Sequence, residues 1–516
     1  MQTLTVATGA YPVLSVMVLV PLIGALLLAI PALRGQARGL GLTVAIAELG
    51  LGIWAAILFD PHAGTVYQLA ETRHWIPAMG VSWALGVTGL GLAMLLLAVF
   101  LVPIVLLASW GEIPADRQAG FATLILALEA FIVVIFTARD VLLFYLVFEA
   151  MLIPVYFLIG RYGGLDRRRA AIKFLLYSLA GGLVMLIGVV ALTVYGPGGD
   201  ENYLIQNLSQ GLTSSTGVTR GIFVTFLIAF AIKAPMVPLH TWLPDTAEQA
   251  TPGTSVLLIG VLDKIGTYGM IAIVLPLFPE ASRWAAPVIL PLAIVGIIYG
   301  GLAAIGQDHL YRLISYTSIS HFGFMVLGIF IGNQVAAVGA MVYMVAHGLS
   351  IAGLYLITGF MARRTGTVRI SELGGIARVM PLIAGTFLFS GLASIALPGL
   401  SGFIPEWMVL TGSFSAKPVY GILALLGVII AAVYMLLPYQ RVFTGAPAAE
   451  RVGSQDLDGR ERVVVAPIIV AMLVLGLAPA ALTGILDGVG AQTAATMTGA
   501  GSQSAATAPV TEGSSK

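Results

Sequence analysis

The sequence has few charged residues and no cysteine. Only 9% of its 516 residues are charged and 59% are hydrophobic, whereas a soluble domain carries about 25% charged residues. A chain this long and this apolar is predicted to be an integral membrane protein. The lack of cysteine excludes disulfides, thiolate zinc sites and Cys-ligated iron–sulfur clusters. The formal net charge of +1 gives no basic footprint for nucleic acid.

Histidine is also scarce. The chain has 6 histidines, and they are too scattered to read as a metal-binding motif. We therefore expect no metal and no cofactor on this chain. If the chain takes part in redox chemistry, the redox cofactor is expected on another chain.

Apolar runs of membrane-spanning length divide the sequence. A span needs about 20 apolar residues, and about 14 such runs are present. We predict an all-α integral membrane protein, because a chain in lipid must satisfy its backbone within each segment. The predicted divisions are helices 1–3 (1–118), helices 4–8 (119–275), helices 9–13 (286–444), helix 14 (462–486) and a disordered polar tail (487–516).

Basic residues are unevenly distributed between alternate loops. The loops that follow odd-numbered helices hold most of the Lys and Arg residues, including Arg34, Arg117, Arg168 and Arg363. Cytoplasmic loops carry such an excess of basic residues. We therefore predict that these loops face the cytoplasm and that both termini lie outside it.

Charged residues lie within several predicted spans. They include Lys233, Lys264, Glu149 and Glu406. Each charge at mid-bilayer costs about 2.5–3.5 kcal/mol on insertion scales, so it needs a partner, a wet cavity or neutralisation. A structural ion pair would explain any one of them. Two lysines and two acids in four separate helices favour a functional role.

Two of these charges stand beside interruptions in their helices. Pro235 and Pro238 follow Lys233, and Pro398 and Gly399 precede Glu406. Proline cannot donate a backbone hydrogen bond, so both helices are predicted to break. Broken helices in corresponding positions indicate two structural repeats. Because the breaks are five helices apart, an odd number, the two five-helix repeats are predicted to be inverted.

Polar stripes run along the tenth and eleventh predicted helices, at helical spacing. The stripes consist of Ser315, Ser318 and His321, and of Tyr343, His347 and Ser350. Such side chains can hold water and pass protons, or hydrogen-bond between helices. The pattern favours the first role for the histidines and the second for the serines and the tyrosine. A haem held between the histidines is an alternative without any other haem signal.

Four stretches carry a resemblance that covers nearly the whole chain. They are "FEAMLIPVYFLIGRYGG", "FAIKAPMVPLHTWLPDTAEQATPGTSVLLIGVLDKIGTYG", "LISYTSISHFGFMVLGI" and "HGLSIAGLYLITG". With them the sequence resembles the antiporter-like membrane subunits of respiratory complex I. The resemblance implies 14 helices with inverted repeats. It also implies a coupled Glu149–Lys233 ion pair, a central proton-relay role for Lys264, and a path through His321 and His347 to Glu406.

The resemblance also implies partners and cofactors. NADH, FMN, iron–sulfur clusters and quinone are expected on partner subunits, among them L-type and N-type antiporter-like subunits. The complex is expected in the inner membrane of a bacterium. Relatives generally carry Lys on the second broken helix, and Glu406 matches the M-type instead. The alternatives are a subunit of a multi-subunit sodium/proton antiporter, a hydrogenase-type membrane complex and a purely structural subunit.

Overall fold

The computed structural model describes residues 5–63, 66–451 and 453–500. Long helices follow one another in it, and a small sheet lies near the N-terminus. The strands are β1 (Val6–Thr8), β2 (Tyr67–Ile76) and β3 (Val81–Val87). The helices of the first half are α1 (Val13–Ala29), α2 (Ala37–Leu58), α3 (Gly89–Ser109), α4 (Gln118–Thr137), α5 (Val141–Tyr162), α6 (Arg167–Tyr195), α7a (Thr216–Lys233), α7b (Trp242–Gln249) and α8 (Pro252–Leu277).

The second half continues in the same way. Its helices are α9 (Pro279–Ile305), α10 (Leu310–Phe330), α11 (Gln334–Thr365), α12a (Pro381–Ser394), α12b (Phe403–Ala416), α13 (Pro418–Phe443), α14 (Gly459–Leu477) and α15 (Ala480–Thr498). Within the described residues, 11 helices are long and apolar enough to cross a membrane, or 12 if α14 and α15 form one bent span. The shorter apolar helices α1 and α12a lie where the first and twelfth spans are predicted. The predicted helical membrane architecture is confirmed, and the count of about 14 stays a prediction.

Burial separates central from peripheral helices. About nine-tenths of the most apolar stretch of α8, α10 and α11 is buried, at 94%, 94% and 89%. The corresponding buried share is only 28% for the span that contains α2 and 33% for α13. The central helices also carry Lys264, His321 and His347. Buried polar groups need hydrogen-bond partners, because no water in the hydrocarbon can supply them. The centre of the bundle is therefore the candidate location of a functional site.

Both predicted helix breaks are present. The first separates α7a from α7b at residues 234–241, and the second separates α12a from α12b at residues 395–402. Gly399 adopts a φ of 88° in the second break, a backbone conformation that favours glycine. The inverted relation of the two repeats and their boundaries stay predictions.

The predicted end of helix 14 and the predicted disorder after it are wrong for the described residues. Helix α14 ends at Leu477, and α15 leaves it at a bend of 65°. Pro479 explains the bend, because the residue before a proline is disfavoured in the helical region. Helix α15 then buries Leu486, Val489 and Met497, and its Thr496 carbonyl accepts a hydrogen bond from Arg283 at 2.7 Å. Packing thus orders a segment whose composition is small and polar. Residues 501–516 of the predicted tail lie outside the described residues.

The small sheet was not anticipated from the sequence. Its strand order is β1-β2-β3, with β1 parallel and β3 antiparallel to β2. All three strands lie within the range 1–118 that is predicted to hold helices 1–3. Arg139, in the α4–α5 connection, donates from Nε to the Leu85 carbonyl at 3.1 Å and so fixes the sheet to the helices.

Candidate functional site

The first broken helix ends on a buried lysine. Lys233 is the last residue of α7a and is 1% exposed. Its Nζ lies 5.3 Å from the centre of the Phe174 ring, and within the described residues it has no hydrogen-bond partner. The break is held by Trp242, whose Nε1 donates to the Ile232 carbonyl at 3.0 Å. The helix end therefore presents an ammonium group without a fixed partner.

Glu149 and Lys233, which the resemblance implies to be a coupled ion pair, are not in direct contact. Among the described residues no hydrogen bond joins them, and Glu149 Oε1 is buried without a partner. The carboxylate is directed at Gly182 of α6 instead, where a Cβ would lie 1.4 Å from Oε1. The two charges interact only through space. Gly182 thus makes room for Glu149 beside α6, at a distance from the lysine.

Lys264 is held at the centre of α8. It is fully buried between two π-helical turns, Leu258–Leu262 and Met270–Val274, and such turns are frequent at functional sites. Its Nζ donates to the Ile259 carbonyl at 2.5 Å and lies 2.7 Å from His347 Nδ1. With lysine as the donor, Nδ1 is the acceptor and His347 carries its proton on Nε2.

Asp263 is a site residue that the sequence analysis missed. It is fully buried beside Lys264 in the chain, and neither carboxylate oxygen has a hydrogen-bond partner within the described residues. It interacts through space with both Lys233 and Lys264. The signal was available, because an acid directly before a lysine in the apolar run "GVLDKIG" is as costly to bury as the lysine.

Aromatic and imidazole rings continue the site from Lys264 to the second broken helix. The His347 and His321 ring centres are 5.1 Å apart, and those of His321 and Tyr343 are 5.6 Å apart. Tyr343 donates its hydroxyl to Glu406 Oε2 at 2.8 Å. His321 Nε2 also lies 2.9 Å from the hydroxyl of Tyr434, a residue that the sequence analysis did not single out. Buried polar groups thus line the way from Lys264 to Glu406, and no direct hydrogen bond links His347 to His321 within the described residues.

The remaining polar stripes have a different role from the histidines. Ser315, Ser318 and Ser350 each donate to a carbonyl of their own helix, at 2.7, 3.1 and 3.2 Å. They do not bond across helices as predicted. The haem alternative does not fit either, because the edge-to-face histidine rings at 5.1 Å leave no gap for a porphyrin.

A charge network fixes α7b at one end of the bundle. Asp245 accepts from Lys173 at 2.6 Å and from Arg312 at 2.8 Å, and Arg312 also binds Glu248 at 2.8 Å. Partial burial acts to raise the pKa of Asp245, but the hydrogen bonds from Lys173 and Arg312 outweigh it and hold that pKa below its ordinary value. The network joins α6, α7b and α10 around the first break.

Comparisons with known proteins identify relatives of this chain. Residues 138–431 match the transmembrane family of the NADH:quinone oxidoreductase and Mrp antiporter. NADH-quinone oxidoreductase subunit M of Mycobacterium tuberculosis is 43% identical over 515 residues, covering 92% of this chain and 93% of that protein.

Two solved structures have the same fold. A chain of respiratory complex I from Thermus thermophilus with bound NADH aligns with a TM-score of 0.85 at 31% identity, covering 94% of this chain and 99% of that one. A chain of the Mrp complex from Dietzia aligns with a TM-score of 0.81 at 20% identity, covering 94% and 97%, which shows a shared fold alone. On the family match, the coverage and the carboxylate on the second broken helix, the chain belongs to the NADH:quinone oxidoreductase/Mrp antiporter transmembrane family, as an M-type antiporter-like subunit.

Proposed function

We propose that this chain is a proton-translocating subunit of an NADH–quinone oxidoreductase and that it moves protons through its buried polar groups. The observation that carries the proposal is the connection of Lys264 to Glu406 through His347, His321 and Tyr343. Each of these groups can accept and release a proton or hold a water that does. The connection runs through the most buried part of the bundle, where a scaffold would place apolar side chains.

The charges suggest how protons are passed along. Asp263 supplies one negative charge between two lysines, so it can compensate one ammonium group. A second buried ammonium needs Glu149, because an uncompensated buried charge costs several kcal/mol. When Glu149 is protonated or turns away, one lysine is therefore expected to release its proton. Release from Lys264 leads to His347, His321 and then Glu406.

The energy for this movement is proposed to come from partner subunits. Each proton that moves against the membrane potential costs about 2.3 kcal/mol per 100 mV. Oxidation of NADH and reduction of quinone would supply it through FMN and iron–sulfur clusters on other chains. This chain is proposed to lie beside L-type and N-type antiporter-like subunits in a bacterial inner membrane.

A change at Asp263 tests the charge arrangement. Asp263→Asn keeps the size of the side chain but removes the charge that both lysines share. Loss of one partner of a buried pair costs about 3–5 kcal/mol, so the lysines are expected to stay neutral and NADH-driven proton uptake to fall severely. Uptake is measured in membrane vesicles and normalised to assembled complex, with the exposed Asp116→Asn as the matched control. Equal uptake by both variants would remove Asp263 from the mechanism.

The orientation has its own test. We propose that the loops rich in arginine face the cytoplasm and that both termini lie outside. A cysteine placed at Arg168 is expected to react with a membrane-impermeant thiol reagent from the cytoplasmic side, and one placed after Gly499 from the other side. The chain has no cysteine of its own, so the background is low. Reaction of both from one side would show that the spans are miscounted.

Co-purification tests the function itself. A tagged chain, extracted in mild detergent, is expected to bring with it NADH-oxidising activity, FMN and iron–sulfur clusters. The alternatives are a multi-subunit sodium/proton antiporter, which shares the fold, and a hydrogenase-type complex. A complex that exchanges Na⁺ for protons and oxidises no NADH would favour the antiporter. Subunits of the sodium/proton antiporters generally carry Lys at the position of Glu406. The glutamate therefore favours the oxidoreductase.

A further inference from the structure

Two buried carboxyl groups lie outside the path from Glu149 to Glu406. Glu48 is in the middle of α2 and Glu129 is in the middle of α4. Both side chains are 0% exposed. None of their four oxygens has a hydrogen-bond partner within the described residues. The proposed transport mechanism uses neither residue.

The two carboxyl groups lie inside one four-helix unit. Helix α2 packs on α1, α3 and α4. A Cβ at Gly52, one turn after Glu48, would meet Val99 at 2.8 Å and Met17 at 3.6 Å. Helix α2, which carries Glu48, also packs on α4, which carries Glu129. Both carboxyl groups are therefore buried in the apolar interior of this unit, and they are not hydrogen-bonded to one another within the described residues.

The surrounding elements offer no cation to this pair. Helices α1 and α3 contain no charged residue, and in α2 and α4 the other charge is Arg38. Arg38 is ten residues, about 15 Å along the helix, from Glu48, and it donates to the Trp110 carbonyl at 3.1 Å.

Other charged residues lie on elements that also contact α2 or α4. None of them is hydrogen-bonded to either carboxyl within the described residues. They are Arg34, Asp116, Arg117, Glu149, Arg161, Asp263 and Lys264.

The free-energy cost of burying a charge determines whether Glu48 and Glu129 are protonated. An ionised carboxylate without a partner costs several kcal/mol to bury, and two like charges that share a site raise the cost further. Each carboxyl group is therefore expected to be neutral, with one proton on one of its two oxygens. We propose that Glu48 and Glu129 form a proton-binding site in the N-terminal helices, separate from the transport path, and that this site reacts with apolar carbodiimides.

The reaction follows from the protonated state. The carboxylic acid adds across one C=N bond of the reagent: its oxygen bonds to the central carbon, and its proton goes to the nitrogen. The O-acylisourea then rearranges to a stable N-acylurea, and nothing is oxidised or reduced. An apolar carbodiimide can reach the site through lipid, because α2 lies at the periphery of the bundle. Only 28% of the most apolar stretch of the span that contains α2 is buried within the described residues.

The test uses membranes that contain the assembled complex. They are treated with dicyclohexylcarbodiimide, and the peptides of α2 and α4 are mapped by mass spectrometry. We expect an adduct on Glu48 or Glu129 in the wild type, and none at these positions after a water-soluble carbodiimide. The double variant Glu48→Gln/Glu129→Gln should carry no adduct there. Modification by the water-soluble reagent to the same extent would overturn the proposal, because it would show a solvated carboxylate.

Infrared spectroscopy tests the protonation of Glu48 and Glu129 without any reagent. A protonated carboxyl has its own C=O band, distinct from that of a carboxylate. We expect the purified complex with both glutamines to lose part of that band relative to the wild type at neutral pH. The matched control is Glu280→Gln, an exposed acid bound to Arg220 at 2.5 Å, which should leave the band unchanged. An unchanged band in the double variant would overturn the proposal. Neither result depends on whether the chain moves protons.

Discussion

Lys264→Met is expected to abolish most NADH-driven proton uptake while the complex still assembles. Methionine matches the length of the lysine and fills its apolar surroundings, but it cannot carry a proton. The change removes the contact to His347 at 2.7 Å and leaves Asp263 with one lysine. The path is then cut between the first broken helix and the histidines. If transport and electron transfer are obligatorily coupled, NADH–quinone activity should fall as well.

The measurement is proton uptake into vesicles, normalised to assembled complex. Lys417→Met is the matched control, because Lys417 is exposed at the start of α13 and should behave as wild type. Uptake by the Lys264→Met complex at the level of this control would exclude Lys264 from the path.

Glu406→Gln should have an effect of similar size at the other end of the site. Glutamine keeps the shape and can still accept the hydrogen bond from Tyr343 at 2.8 Å, but it cannot titrate. A proton that arrives from His321 then has no group to hold it, so most pumping is expected to be lost in an assembled complex. The exposed Glu372→Gln is the matched control.

Two further substitutions at Glu406 separate charge from geometry. Glu406→Asp keeps a carboxylate on a shorter arm and should retain a substantial part of the uptake. Glu406→Lys brings in the residue of the relatives but places a cation where Tyr343 is oriented toward an acceptor, so it should be poorer than Asp. If the Gln variant pumps as well as wild type, Glu406 has a structural role only.

The sequence allowed several of the buried charges and both helix breaks to be predicted. Lys233, Lys264 and Glu406 stood out because charges in apolar runs are rare and costly. Proline and glycine marked the breaks because their effect on the backbone is local. Charges in apolar runs and helix breaks depend on a single segment, so they could be predicted without knowledge of the fold.

Contacts between distant segments could not be read in the same way. Lys264 and His347 are 83 residues apart and meet at 2.7 Å only because α8 packs on α11. The position of the Glu149 carboxylate depends on the missing side chain of Gly182 in another helix. Tyr434 looked like an ordinary aromatic residue of α13 until it was found 2.9 Å from His321.

Tertiary packing also overrode local composition at the C-terminal end. The small and polar residues after 486 predicted disorder, yet α15 continues to Thr498. Gly490 permits this packing, because a Cβ there would lie 2.3 Å from Val338 of α11. Such a close approach depends on both helices, so the composition of one of them could not indicate it.

The most direct test of the central claim is a parallel measurement of the rate of proton transport and the rate of NADH oxidation. Both are measured in liposomes that contain the purified complex, with and without the Lys264→Met substitution in this chain. The variant is expected to transport far fewer protons, and its NADH oxidation is expected to fall with them. A variant complex that oxidises NADH at the wild-type rate and transports the wild-type number of protons per NADH would contradict the claim that protons pass through this chain.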